Sequence, residues 1–416
     1  MELLDIFKTL VKISSPSLME DKVCGKITEI LSNAGIETWQ DAYNNVYARL
    51  LGDKNKQSLL LSAHMDVVGD DTPVNIIEST TKDGNFIETD KKRTLGADDK
   101  AGVAAIIKLF LDAKAGKLHN HPTLEAVFTR DEENSMTGIH NVEFNKLNSE
   151  YALVLDSDKL GNFEIAGAGY TKLTISVKTP FGGHSGLDIS DSKRLNAAKI
   201  IAEIIAKIPQ GVYKYDENDE STVTSINLGS IIAGGVENAL YQAVKNNLKG
   251  KDAVEFVSKN SMSNIINTLA LAHYSIRSSD TKTQEELISE IRNIVDEFNH
   301  RYGEIDENGF KSPALAHAEI EIEEHLPVFE KSDDEFLINT AKRASGNINL
   351  PLKISSFHAG AETHIYANRK NVHNKTFKPV LLGIADVYNM HSSDEKINIE
   401  SYKKGYEFLL EFVKEI

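Results

Sequence analysis

Three short apolar runs in this chain each stop at a cluster of imidazole or carboxylate side chains. They are "SLLLSAHMD" (58–66), "TLEAVFTRDEE" (123–133) and "YALVLDSD" (151–158). A strand that is apolar on both faces belongs in the middle of a sheet covered by helices, because neither face meets water. A fourth run, "PVLLGI" (379–384), is followed a few residues later by His391. Helical patterns precede and separate these runs. "LMEDKVCGKITEILSNAG" repeats apolar residues at Val23, Ile27, Ile30 and Leu31 and stops at Gly35. "KAGVAAIIKLFLDAKAG" sets Val103, Ile106, Ile107, Phe110 and Leu111 on one face. Strands alternating with helices predict an α/β fold around a central, mostly parallel sheet. The strand "NNVYARLLG" precedes the 58–66 run almost directly, so the two are expected to be neighbours in that sheet.

From about residue 168 the texture changes. "GYTKLTISVKT" and "AEIEIEEHLP" alternate as half-exposed strands do, and "DSKRLNAAKIIAEIIAKI" and "TQEELISEIRNIVDEFNHRYG" read as helices. After about 330 the first texture returns. The expected organisation is therefore a larger domain made of 1–167 and 330–416, with an α+β module, 168–329, inserted into it.

With 416 residues there is ample chain for two domains. The formal net charge of −16 disfavours nucleic acid and anionic membrane surfaces as partners. Cys24 is the only cysteine, which excludes an internal disulfide and a cysteine-ligated zinc site. "MELLDIFKTLVKISSPS" reads as an amphipathic helix and not as a signal peptide, so a cytoplasmic location is expected.

His64 and Asp66, then Asp131, Glu132 and Glu133, then Asp156 and Asp158 all lie past the carboxyl ends of predicted strands. Asp98 and Asp99 open a helix in "TLGADDKAG". In open α/β sheets ligands bind outside that strand edge. Each piece alone has a plainer reading: a turn for "HMD", a solvated loop for "RDEEN", a helix cap for "ADDKAG". Together, imidazoles and carboxylates without thiols suit zinc, manganese or cobalt. Five such side chains exceed the needs of one tetrahedral ion and point to a pair.

The order "HMD", "GADDKAG", "RDEEN", "LDSD", "FGGHSG" and "MHSSDE" resembles the co-catalytic zinc peptidase family that contains peptidase T, carnosinase-type dipeptidases, carboxypeptidase G and the aminoacylases. "GADDKAG" and "LDSD" look most similar to peptidase T-like members. The resemblance implies His64 and Asp156 on one metal, Glu133 and His391 on the other, and Asp98 bridging both. Asp66 would hydrogen-bond His64, with Asp158 the competitor for the place of Asp156. Glu132 would be the general base for a water bridging two divalent ions, Zn2+ foremost, with Co2+ or Mn2+ as alternatives. The inserted module would be a lid through which two chains dimerise, and His184 would reach the partner subunit's active site to stabilise the oxyanion. Asn238 and Arg277 would bind substrate, Arg277 through a carboxylate, and Glu362 would hold a substrate amino group.

The activity implied by the resemblance is that of an exopeptidase for short peptides, a tripeptide aminopeptidase in its favoured form. A dipeptidase of Xaa-His type or an N-acyl-amino-acid amidohydrolase is the enzyme alternative. A metal- or peptide-binding relative without activity is the third reading. One stretch departs from the family pattern: "VKNNLKGKDAVEFVSKNSMSNIIN" lengthens the connection between Asn238 and the strand of Arg277.

Overall fold

Leu59, Leu60, Leu61 and Ala63 have no exposed surface at all, as the unbroken apolar run demands. They form β3 of an eight-stranded sheet. Its strands are β1 (Glu37–Gln40), β2 (Val46–Leu50), β3 (Leu59–His64), β4 (Leu124–Thr129), β5 (Tyr151–Val154), β6 (Asn162–Gly167), β7 (Lys353–Phe357) and β8 (Lys378–Leu382). The spatial order is β1-β2-β4-β3-β5-β8-β6-β7. The computed structural model describes residues 1–216, 219–302 and 315–416, and the side chains of 216, 219–222, 237 and 238 stand outside that description.

The centre of the sheet, β4-β3-β5-β8, is parallel. Its registers align the carboxyl ends: His64 lies opposite Thr129, Ser62 opposite Val154, and Leu381 also opposite Val154. Loops leaving these four strands therefore emerge along one edge. The helix α1 (Ala97–Lys114) is buried along most of its length and packs on β3. With helices Leu3–Val11 and Ile399–Glu415 it closes one hydrophobic core around Phe7, Ile106, Phe110, Phe128, Phe408 and Phe412.

Two expectations about this sheet need correcting. β2 is not the neighbour of β3, because β4 lies between them and pairs with both. Proximity in sequence favours adjacency, but parallel pairing of β3 with β4 through the α1 crossover displaces the earlier strand outward. The strands β6 and β7 carry no clear alternation and give no strand signal in the sequence. Nor does a four-stranded sheet built on the hairpin of Ile76–Thr81 with Gly84–Thr89.

The chain divides into two compact units, Met1–Gly167 with Phe329–Ile416, and Ala168–Val328. The second is an antiparallel five-stranded sheet in the order Gly211–Asp216, Asp219–Ala233, Leu269–Ser278, Gly169–Lys178, His317–Leu326. Helices Ala197–Ile205 and Thr281–Tyr302 cover one face through Ile200, Ile204, Leu287 and Ile291, against Leu173, Ile175 and Ile276. The lengthened connection folds as two helices, Glu237–Lys245 and Gly250–Asn260. Among the described residues no helix is long and apolar enough to cross a membrane.

Candidate metal centre

The strand β3 delivers His64 to the sheet edge as its last residue, 2% exposed. Its Nδ1 lies 3.1 Å from the carbonyl oxygen of Asp66 and 3.3 Å from Asp66 Oδ1. Acceptors on that side suit a proton on Nδ1, the tautomer that would present the Nε2 lone pair to a metal ion. Nε2 is 3.0 Å from Asp98 Oδ1 and 3.6 Å from Asp156 Oδ1. On the other side of Asp98, its Oδ2 lies 3.0 Å from His391 Nε2, which is 3.1 Å from Glu133 Oε2.

These contacts define two groups of potential ligands, His64–Asp98–Asp156 and Asp98–Glu133–His391, with donor atoms in each within 4.8 Å of one another. Asp98 belongs to both and turns one oxygen toward each. It sits at the head of α1, where its own backbone is not helical. Glu395 holds that turn by accepting the backbone N–H groups of Gly96 at 2.7 Å and Asp98 at 3.1 Å. Glu395 lies inside the "MHSSDE" segment, yet no sequence signal gave it this task.

The acidic loop after β4 is fixed in the same manner. Asp66 accepts the backbone N–H of Glu132 on Oδ1 at 3.0 Å and that of Glu133 on Oδ2 at 3.1 Å, and Ser17 donates to it at 2.7 Å. Glu132 and Glu133 open the short helix α2 (Glu132–Ser135), so their side chains leave the backbone in different directions. Arg130 is tied down by Glu20, which takes its Nε–H at 2.7 Å and the N–H of Asp131 at 3.0 Å. Nothing in the sequence around Glu20 marks it for this role.

Charge crowding dominates the electrostatics. Burial pushes Asp156 up to about 7, and the neighbouring Asp98 adds to this. Burial likewise lifts Glu133 to about 7 and Glu132 well above the usual glutamate range, with nearby carboxylates contributing to both. Burial alone would lower His64, but Asp156, Asp66 and Asp98 outweigh it and hold the imidazole well above its ordinary value. The hydrogen bond to Asp98 leads in raising His391 to about 9. Carboxylates this close cannot all stay ionised unless cations join them. Among the described residues, Glu133 Oε1 and Asp99 Oδ2 are buried with no hydrogen-bond partner. Two imidazoles, three carboxylates and an orphaned ligand-side oxygen thus fit a pair of borderline or hard divalent ions, with Asp98 shared.

A cavity of about 330 Å³ opens over this cluster. It is lined by His64, Asp98, Glu132, Glu133, Asp156 and His391, and beyond them by Ser157, Asp158, Glu164, Phe357, Leu381 and Met390. Glu132 thus shares the cavity with both groups while belonging to neither. Asp158, the competitor for Asp156, is exposed, and its backbone carbonyl accepts from Val387.

The remaining candidates are differently placed. Glu362 is in the first unit. It is 1% exposed and accepts from Ser62 Oγ at 3.0 Å, and it does not line the cavity. His184 is an exposed residue of the second unit, where the N–H of Gly186 donates to its Nδ1 at 3.1 Å and Asn264 Nδ2 lies 3.2 Å from its Nε2. Arg277, also in the second unit, lies over the Tyr170 ring at 4.2 Å, and Tyr170 stacks on His325. The side chain of Asn238 lies outside the described residues.

Known proteins resemble this chain in sequence and fold. The profile described as Peptidase family M20/M25/M40 matches residues 60–415. The Bacillus subtilis protein YqjE is 24% identical over 425 residues, covering 99% of this chain and 98% of that protein. Peptidase T of Listeria monocytogenes serotype 4a is 24% identical over 464 residues, covering 99% and 98%. The crystal structure of aminopeptidase PepT from Bacillus cereus shares the fold with a TM-score of 0.77 at 22% identity, over 99% of this chain and 97% of that one. A profile match over most of the length, on a parallel sheet whose edge gathers the ligand-bearing loops, leads to one conclusion: this chain is a hydrolase that belongs to peptidase family M20/M25/M40.

Proposed function

We propose that the chain is a di-metal aminopeptidase for short peptides, with a tripeptide as the favoured substrate. The observation that carries this reading is the pair of ligand groups sharing Asp98, with the unengaged carboxyl of Glu132 in the same cavity. Membership of a peptidase family and the full-length similarity to a peptidase T support the substrate class.

In this reading His64, Asp98, Asp156, Glu133 and His391 hold two divalent ions, zinc foremost. Such ions would polarise the scissile carbonyl and make an attacking water a far stronger acid than bulk water. Glu132 takes the proton of that water and passes it to the leaving amine. Its raised proton affinity suits both halves of the task, because a carboxyl that burial and neighbouring charges make more basic takes a proton more readily and can then pass it on. Asp66 acts through others: it sets the His64 tautomer and anchors the backbone of Glu132 and Glu133. Arg277, held flat by Tyr170, is assigned to a substrate carboxylate. His184 is assigned to the oxyanion, together with Asn238, and Glu362 to substrate binding. The reaction is assigned to the cytosol, and the second unit to a lid that pairs two chains.

A panel of free tripeptides, dipeptides, Xaa-His dipeptides and N-acyl amino acids, each with Zn2+, Co2+ or Mn2+, tests the reading. Tripeptide turnover that stops on chelation is expected. Turnover confined to N-acyl amino acids would replace it with the amidohydrolase alternative, and silence across the panel would leave a binding protein.

A further inference from the structure

Glu164 is a buried carboxyl of the cavity wall with no part in the metal chemistry. It lies on β6, which runs antiparallel to β8, opposite Leu381. Leu381 in turn lies opposite Val154, at the carboxyl edge of the parallel strands. This register puts Glu164 level with the metal-centre loops although its own strand runs the other way. It lines the cavity yet belongs to neither ligand group. It is 9% exposed, and among the described residues no lysine or arginine forms an ion pair with it; the cation that acts on it, Lys353, is an exposed residue of β7. Ser157 and Asp158 are its polar company, and Phe357, Leu381 and Met390 form the apolar wall nearby.

A nine-tenths buried carboxyl that faces a cavity without a cation costs stability unless something completes it. Burial holds Glu164 up to about 7, so an arriving cation would release its proton and gain a charge-assisted contact. Metal ions at the proposed centre would be matched by the carboxylates of the two ligand groups. What remains for this end of the cavity is a positive group on the substrate.

We infer that Glu164, with Asp158 beside it, receives the free α-ammonium group of the peptide substrate and thereby selects for an unblocked N-terminus. This rests on the peptidase reading and deepens it: it supplies the discrimination between a free peptide and an N-acyl amino acid, which carries no ammonium.

The test compares wild type and Glu164→Gln on the tripeptide Ala-Ala-Ala and on its des-amino analogue, propionyl-Ala-Ala, with metal content measured for both proteins. Wild type is expected to favour the free tripeptide in kcat/KM. Glu164→Gln should lose roughly 10–100-fold on the free tripeptide, the range expected for a lost hydrogen bond to a charged group. It should keep its metal and its rate on the des-amino analogue. Equal losses on both substrates, or an unchanged preference, would overturn the assignment. Wild type alone also decides: if it cleaves propionyl-Ala-Ala as fast as Ala-Ala-Ala, no ammonium site operates. A wild-type protein that cleaves only N-acyl amino acids overturns the peptidase reading itself, whereas peptide cleavage with an unaltered preference in the variant overturns the role of Glu164 alone.

Discussion

Asp66 Oδ1 stands 3.3 Å from Nδ1 of His64, and the same carboxylate accepts the backbone N–H groups of Glu132 and Glu133. One buried side chain therefore sets a ligand, the proposed base and a second ligand at once. Asp66 is held below the usual aspartate range: burial opposes this, and the hydrogen bond to His64 leads the contacts that overcome it.

Asp66→Ala should accordingly damage both metal sites. Metal affinity or activity is expected to fall about 10–100-fold, as for other residues that orient ligands. Competition with a chromophoric chelator reads the affinity directly. An Asp66→Ala protein with wild-type affinity and rate would show that the loop holds itself.

Glu132→Gln separates chemistry from binding. The amide keeps the size of the side chain but cannot take a proton. Elemental analysis should find near-normal metal, while kcat falls by about 10²–10⁴. A variant that retains wild-type turnover would remove Glu132 from the mechanism.

His64→Ala makes the opposite prediction. It removes the one imidazole of the His64–Asp98–Asp156 group, so bound metal should drop toward one ion per chain. His391→Ala should do the same for the other group. Two ions retained in either variant would mean that the groups are misassigned.

Cys24 offers a check on the core. It is 2% exposed, and burial pushes its thiol up to about 12. At about pH 8 almost none is thiolate, and the thiolate is the reactive form. A thiol reagent should label it slowly in the folded protein and at once in denaturant. Rapid labelling of the native chain would contradict the packing of the helix Asp21–Asn33 against the sheet.

Much of the site was legible because its parts are local. A buried strand cannot spend His64 on its interior, so the imidazole marks the strand's end, and "RDEE" and "LDSD" repeat the signal. The roles of Glu20, Glu395 and Asp66 as backbone anchors were less legible. Each acts on a segment far along the chain: Asp66 reaches 66 residues to the N–H of Glu132, and Glu395 reaches 297 to that of Asp98. Glu362 shows the converse: a short polar segment gave no hint of complete burial, because Ser62 and the sheet that covers it lie elsewhere in sequence.

The amino-acid sequence by itself determined the alternation of buried strands and helices, the inserted segment of different texture, and the polar residues that close each apolar run. These are consequences of hydrophobic periodicity, which needs only neighbours along the chain. Tertiary structure decided strand order and register, and through them everything that depends on two distant segments meeting. It set β4 between β2 and β3, turned one oxygen of Asp98 to each ligand group, and raised Glu164 to the edge on a strand running the wrong way. Such pairings are fixed by hydrogen bonds and packing between segments far apart in the chain, and periodicity within a segment carries no record of its partner.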